Sequence, residues 1–277
     1  MIISPFTPLF FNSHKSDGLD SRYIQVFAPT DRILIEIIRT IDEVSPNAIL
    51  CNHLTGVTQQ IIWNTWQMND SDVIDFQVIT GLSNGYYSLS IGDKESRYFR
   101  ITNDSVELKN TTLIQYSMSS NKHRQDVVFW IDGMQHFFDF RVPGGFKDRG
   151  WTFGVENEQF VTAQSDIIEL YAADSILKTF TMGNGIGCPI WFAEMLNRLL
   201  CCSYVYFDGV RYARKDSSVP ELNEQMEGLN SFVFNQLLQK IQYYNPTIEN
   251  NNQTIIRRVD TDYRHIEMGD DNINILI

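Results

Sequence analysis

Alternation at period two limits what this chain can fold into more than any other feature. Tyr23–Phe27, Arg32–Ile37, Phe76–Ile79 and Tyr86–Ile91 are dominated by β-branched and aromatic residues. Such side chains fit a pleated, half-buried surface, so each run reads as a strand. Arg32–Ile37 also fits a helix capped at Thr30-Asp31, but its isoleucines favour strand. Two Asp-Gly pairs sharpen the pattern. Asp132-Gly133 separates Val127–Ile131 from Met134–Phe140, and Asp208-Gly209 separates Tyr204–Phe207 from Val210–Arg214. Asp-Gly supplies the positive φ angles of a type I′ turn, whose twist matches the flanking strands. Two tight hairpins are therefore predicted.

Other runs extend this picture. Val57–Met68 and Glu95–Ile101 read as strands, and the Gly81–Gly85 connection between Phe76–Ile79 and Tyr86–Ile91 reads as a hairpin loop. Leu113–Tyr116, Thr152–Phe160, Ile167–Tyr171, Ile176–Thr181 and Ser231–Asn235 continue the strands. Pro143–Gly150 is rich in breakers and reads as a loop. One helix stands out. After Pro189, Phe192, Met195, Leu196 and Leu199 recur at helical spacing, with Glu194, Asn197 and Arg198 on the other side. The fold class expected is mainly β, with α+β character in the second half. The expected organisation is a β-sandwich domain over 1–110, a second β domain over 111–241 carrying a helix at 189–200, and an extended polar C-terminal arm over 242–277.

Composition narrows the function classes. With 22 Lys+Arg against 34 Asp+Glu, the formal charge is −12. Sequence-independent nucleic-acid binding needs clustered cations, so the acidity argues against it. The apolar start, Met1–Phe11, lacks a basic region and is broken by Pro5 and Pro8, so no signal peptide is expected. No run approaches the ~18 apolar residues of a spanning helix, and no membrane partner is expected. Cys51, Cys188, Cys201 and Cys202 have neither zinc-ligand nor disulfide-framework spacing, and are expected to be free, buried thiols.

Candidate chemistry is sparse. Gly81-Leu82-Ser83-Asn84-Gly85 has the Gly-x-Ser-x-Gly spacing of a nucleophile elbow, which requires a helix after the serine. Here an alternating strand pattern follows. Gly183–Gly187 precedes a helix, as anion-binding loops do, but Cys188 stands where a dinucleotide fingerprint needs its third glycine. His14, His53, His123, His136 and His265 form no ligand-spaced pair. Asp132, Asp139, Glu156 and Glu158 are candidate glycosidase carboxylates, against the plainer reading of turn and outer-face residues. No catalytic, cofactor or metal site is expected. Aromatics remain. Trp63 reads as core, while Phe146, Lys147, Arg149 and Trp151 in the breaker-rich loop form a candidate contact surface for a protein or a glycan. Ile275, Leu276 and Ile277 are the candidate contact at the end of the C-terminal arm.

Three segments carry a resemblance. Phe137–Phe146, Gly187–Glu194 and Tyr206–Tyr212 resemble proteins encoded in tail-gene clusters of phages and prophages from gut Bacteroidetes, and the similarity runs from Pro5 to about Ile241. The resemblance implies a virion protein of the tail or baseplate, made in the bacterial cytoplasm and similar to distal tail proteins. Such proteins pair a tail-tube-like β-sandwich with one flanking helix and assemble into rings. It implies as partners other copies of the chain and neighbouring tail proteins. An acidic surface lining such a tube would let DNA pass without sticking. A carbohydrate- or cell-surface-binding β-sandwich module is the alternative.

Overall fold

The computed structural model describes residues 1–11, 23–117, 137–183, 187–215, 221–226, 231–241, 248–250, 253–255, 265–266 and 275–276. Strand dominates the described residues. The chain divides into two units, Met1–Lys240 and Ile241–Ile277.

In the first half, the strands are β1 (Ile2–Ile3), β2 (Gln25–Phe27), β3 (Ile33–Thr40), β4 (Ala48–Asn52), β5 (Thr58–Gln60), β6 (Asn64–Gln67), β7 (Asp72–Ile79), β8 (Gly85–Ile91), β9 (Lys94–Glu95) and β10 (Phe99–Ile101). They form two sheets, β1-β3-β7-β6 and β2-β10-β8-β4-β5, with β9 added to β8. Ile33, Ile35 and Ile37 of one sheet meet Leu50, Leu89, Ile91 and Ile101 of the other in a single buried cluster. Two expectations need correction. The strands flanking Gly81–Gly85 lie in different sheets, so that segment crosses between layers and is not a hairpin. Val57–Met68 likewise divides into β5 and β6, one in each sheet. Period two marks a strand but says nothing about its partner.

In the second half, a short helix α1 (Ser105–Leu108) leads into β11 (Thr111–Ser117), β12 (Phe138–Val161) and β13 (Ile167–Met182). Helix α2 (Ile190–Leu199) follows, then β14 (Tyr204–Phe207), β15 (Val210–Arg214), β16 (Glu221–Met226) and β17 (Ser231–Lys240). The sheet order is β13-β12-β11-β14-β15-β17-β16, and β13 also pairs with β17, so the sheet closes on itself. The Asp208-Gly209 turn is as predicted: Phe207 faces Val210, with Asp208 at φ 46 and Gly209 at φ 80. Asp132-Gly133 lies outside the described residues. Pro189 is the N-cap of α2, and Phe192, Ala193, Met195, Leu196 and Leu199 are buried on the closed sheet.

Pro143–Gly150 is not a loop. It lies inside β12, which runs on without a turn. Pro143 is the last residue paired with β11, and Gly144 the first paired with β13. A Cβ on Gly144, at φ 130, would stand 2.1 Å from the Thr181 carbonyl oxygen. The glycine is there because two backbones approach closely. A register shift between Phe146 and Trp151 absorbs the intervening residues as a bulge.

The two halves meet across β3, which is buried on both faces. Leu34 points away from the sandwich core into the cluster built from Ile114, Phe140, Phe180 and the α2 residues. The segment Met1–Phe11 straps across both halves. Ile2 and Ile3 pair with Ile38 and Ile37, the Tyr116 hydroxyl donates to the Phe6 carbonyl, and Phe10 stacks on Phe192 at 5.2 Å. Polar clamps reinforce the junction. Arg141 donates from Nε and Nη2 to both carboxylate oxygens of Asp31, at 2.7 and 2.8 Å. The Arg32 amide donates to Asp139 at 2.8 Å. Within the sandwich, Arg39 grips buried Asp75 in the same bidentate way. Burial alone would raise Asp75, but hydrogen bonds from Arg39, Thr65 and Ser45 and the Arg39 charge hold it below the usual carboxylate range.

In the second unit, Ile248–Asn250 pairs with Gln253–Ile255, and His265–Ile266 pairs with Ile275–Leu276.

Arg141→Met would leave Asp31 buried without its cation. The expected loss is about 3–5 kcal/mol by urea denaturation, and Asp31→Asn/Arg141→Met should lose clearly less than the two single changes added.

Glu36 generates a second expectation. It is buried on the Leu34 face of β3, and burial raises its carboxyl to about 8, opposed by a hydrogen bond from Ser4. The folded chain therefore keeps a proton that the unfolded chain releases near pH ~4.3. Stability from this group is complete below that pH and is lost as pH rises towards about 8. Glu36→Gln should remove this slope and be the more stable form at pH 8, by a few kcal/mol at roughly 1.4 kcal/mol per pH unit. Parallel pH profiles for the two proteins between pH 5 and 8 would contradict it.

Candidate functional site

Among the described residues, those singled out for catalysis do not converge. Ser83 is followed by strand β8, not a helix, and its hydroxyl lies 3.0 Å from the Tyr87 hydroxyl. In the Gly183–Gly187 segment, Gly183 and Gly187 answer to packing. A Cβ on Gly183 would stand 2.4 Å from the Phe232 carbonyl oxygen, and one on Gly187 1.8 Å from Ser231 Oγ. Asp139 is buried, and burial raises its carboxyl despite bonds from the Arg32 amide and Gln115. It ties β12 to the β2–β3 turn. Glu158 is exposed on β12. His14, His123, Asp132 and His136 lie outside the described residues, and nothing is described of the Glu156 side chain.

Among the described residues, His53, Ser88 and Glu95 form a chain that resembles hydrolase chemistry. His53 Nε2 lies 2.9 Å from Ser88 Oγ, which donates to Glu95 Oε1 at 3.0 Å. The order is wrong for a triad, because the serine stands between base and carboxylate. With its proton committed to Glu95, Ser88 accepts from the histidine. Among the described residues no group of three His, Cys, Asp or Glu side chains could hold a metal. No helix among them is long and apolar enough to cross a membrane. All four cysteines are free. Cys188 alone is buried, its thiol pushed up to about 12 by desolvation, while Cys201 is exposed, contrary to the expectation of burial for all four.

The unusual feature is an arm. Beyond Ile176, β13 no longer pairs with β17, and β12 and β13 continue as a two-stranded ribbon to the turn after Val161. From Trp151 to Val161 the ribbon extends on the order of 30 Å. Its apolar side chains face solvent: Phe153 is 72% exposed, Phe160 55%, Val161 60%, Ile167 65%, Ile168 48% and Leu170 61%. Its charges are all acidic. Glu156, Glu158, Asp166, Glu169 and Asp174 fall between 151 and 177, a span with no Lys or Arg.

Of the predicted contact residues, those from Phe146 to Trp151 fall at the arm's root. Phe146 is turned inward, stacking on Tyr212 at 4.6 Å and meeting Phe180 and Phe207 edge-on. It is a core residue, and Lys178 sits over its ring. Lys147 is exposed. Arg149 and Trp151 lie on β12 where the ribbon begins, and their side chains are outside the described set. Ile275 and Leu276 pair with Ile266 and His265, and Ile277 is outside the described residues. The exposed apolar residues of the arm were missed as a site because each reads locally as one face of an ordinary strand. The signal available was their company: apolar residues interleaved with carboxylates and no cation.

A second surface lies between the N-terminal strap and α2. It is a cleft of about 450 Å³, with Ile3, Phe10, Phe11 and Trp191 among its walls. Three cations, Lys94, Arg97 and Arg198, and one carboxylate, Glu194, line it. Arg97 lies over the Trp191 ring at 4.2 Å, and Arg198 donates to the Pro5 carbonyl at 2.8 Å. Comparison with protein-family models, curated proteins and solved structures finds no match to this chain.

Because the arm tip contributes nothing to the chain's own core, Phe160→Ser with Ile168→Ser should change the unfolding free energy of the dilute, monomeric chain by no more than about 0.5 kcal/mol. Retention on a hydrophobic-interaction column should fall clearly. A large stability loss of the monomer would mean that the tip packs against its own chain.

Proposed function

We propose that this chain is a structural component of a bacteriophage tail or baseplate, a ring-forming adaptor that acts by assembly and not by catalysis. The observation that carries the assembly reading is the exposed ribbon of β12 and β13. A two-stranded ribbon is at best marginally stable alone in water. Exposed apolar residues gathered on one element mark interaction surfaces. A chain that kept such an arm for no partner would carry an aggregation hazard. The tail assignment rests on the resemblance of Phe137–Phe146, Gly187–Glu194 and Tyr206–Tyr212 to tail-cluster proteins.

The closed sheet suits this role, because it gives the arm a rigid base: β12 and β13 are paired on both sides before they leave the body. The glycan-binding alternative is less well supported, because the exposed aromatics Phe153 and Phe160 sit along a narrow ribbon and not in a concave platform.

The proposal expects discrete oligomers of the full chain by size-exclusion chromatography with light scattering. It also expects the chain's peptides in mass spectra of purified virions of the phage that encodes it. Virions that lack the chain would refute the tail role, and binding on a glycan array would favour the alternative.

A further inference from the structure

Cross-strand pairing fixes which way the tip residues face. In an antiparallel ribbon, directly paired residues share a face and successive residues alternate. Phe160 pairs with Ile168, and Val161 with Ile167. The two pairs therefore point to opposite faces, and the tip is apolar on both. A flat partner surface would cover one face only, so full burial requires a cleft. The carboxylates of Glu158, Asp166 and Glu169, all exposed, surround the tip. The partner cleft must accordingly supply apolar walls and positive charge.

The cleft between the strap and α2 meets both conditions, with Phe10, Phe11 and Trp191 for the apolar residues and Lys94, Arg97 and Arg198 for the carboxylates. The chain's own tip does not fill it, since Phe160, Val161 and Ile167 are each more than half exposed. On a chain of net charge −12, most copy-to-copy approaches are repulsive, so an acidic arm is steered to a local cationic site.

We infer that the tip of the β12–β13 ribbon docks in the strap–α2 cleft of a second copy of this chain. The contact is heterologous: each copy offers one arm and one cleft, so repetition closes a ring or extends a filament. This inference rests on the assembly reading but not on the tail assignment.

The test uses the full chain and sedimentation velocity over a concentration series. The wild type should associate. Phe160→Asp/Ile168→Asp, which disables the arm, and Lys94→Glu/Trp191→Ala, which disables the cleft, should each weaken association about tenfold or more. Mixed in equal amounts, the two variants should recombine. One retains a cleft and the other an arm, so a 1:1 pair should form and grow no further. If the cleft variant does not fold, Lys94→Glu alone replaces it, since that side chain is exposed. High salt should weaken wild-type association, and Lys94→Glu should lose part of that salt dependence. Wild-type association that neither variant weakens, or variants that fail to recombine, would overturn the docking and leave the assembly reading intact. A wild type that stays monomeric at every concentration would overturn both.

Discussion

Everything in the Met1–Lys240 unit depends on β3 having both faces covered. A strand reading Ile-Leu-Ile-Glu-Ile-Ile has no side to give to water, so two separate apolar layers must converge on it. Ile33, Ile35 and Ile37 are taken up by the sandwich. Leu34 enters the core of the closed sheet, and Glu36 is buried on the same side. The strap, the Arg141–Asp31 pair and the Asp139 contact all sit at this junction. They fix the orientation of the layers that the isoleucines bring together. The cost of the arrangement is a carboxyl kept protonated near neutral pH.

Much of the architecture is legible in the residues. Asp208-Gly209 specifies its turn because positive φ at both positions is a local requirement that few residue pairs meet. The α2 stripe is legible because burial on one side of a helix leaves its period in the sequence. Elsewhere the same local rules mislead. Pro143-Gly144-Gly145 has the composition of a loop, yet Gly144 is needed because the Thr181 carbonyl lies where a side chain would be. That neighbour is contributed by a strand almost forty residues away, and no window of sequence contains it. The Gly81–Gly85 segment fails in a related way, since glycine permits a hairpin and a crossover equally.

The candidate site follows the same division. Phe146 was expected at a contact surface and belongs to the aromatic core, because the strand carrying it turns one face inward before the ribbon begins. The cleft was not legible at all. Its walls come from residues near the start of the chain, from β9 and its neighbour Arg97, and from α2. Only the fold brings them together. The apolar opening Met1–Phe11, which in sequence invites a decision about targeting, works in the folded chain as a strap. Pro5 and Pro8 interrupt it as it passes from β1 to α2.

The length of β12 has a mechanical meaning. One continuous strand is at once a stave of the closed sheet and a rail of the arm, with no hinge between them except a bulge. Tension applied at the tip therefore travels along the strand axis into the body. There it drags β12 lengthwise against β11, and the pairs from Thr111–Pro143 to Tyr116–Phe138 share the strain together. Hydrogen bonds perpendicular to the strands are sheared in parallel and not peeled one at a time. A subunit built this way resists being pulled apart by the element through which it reaches outward.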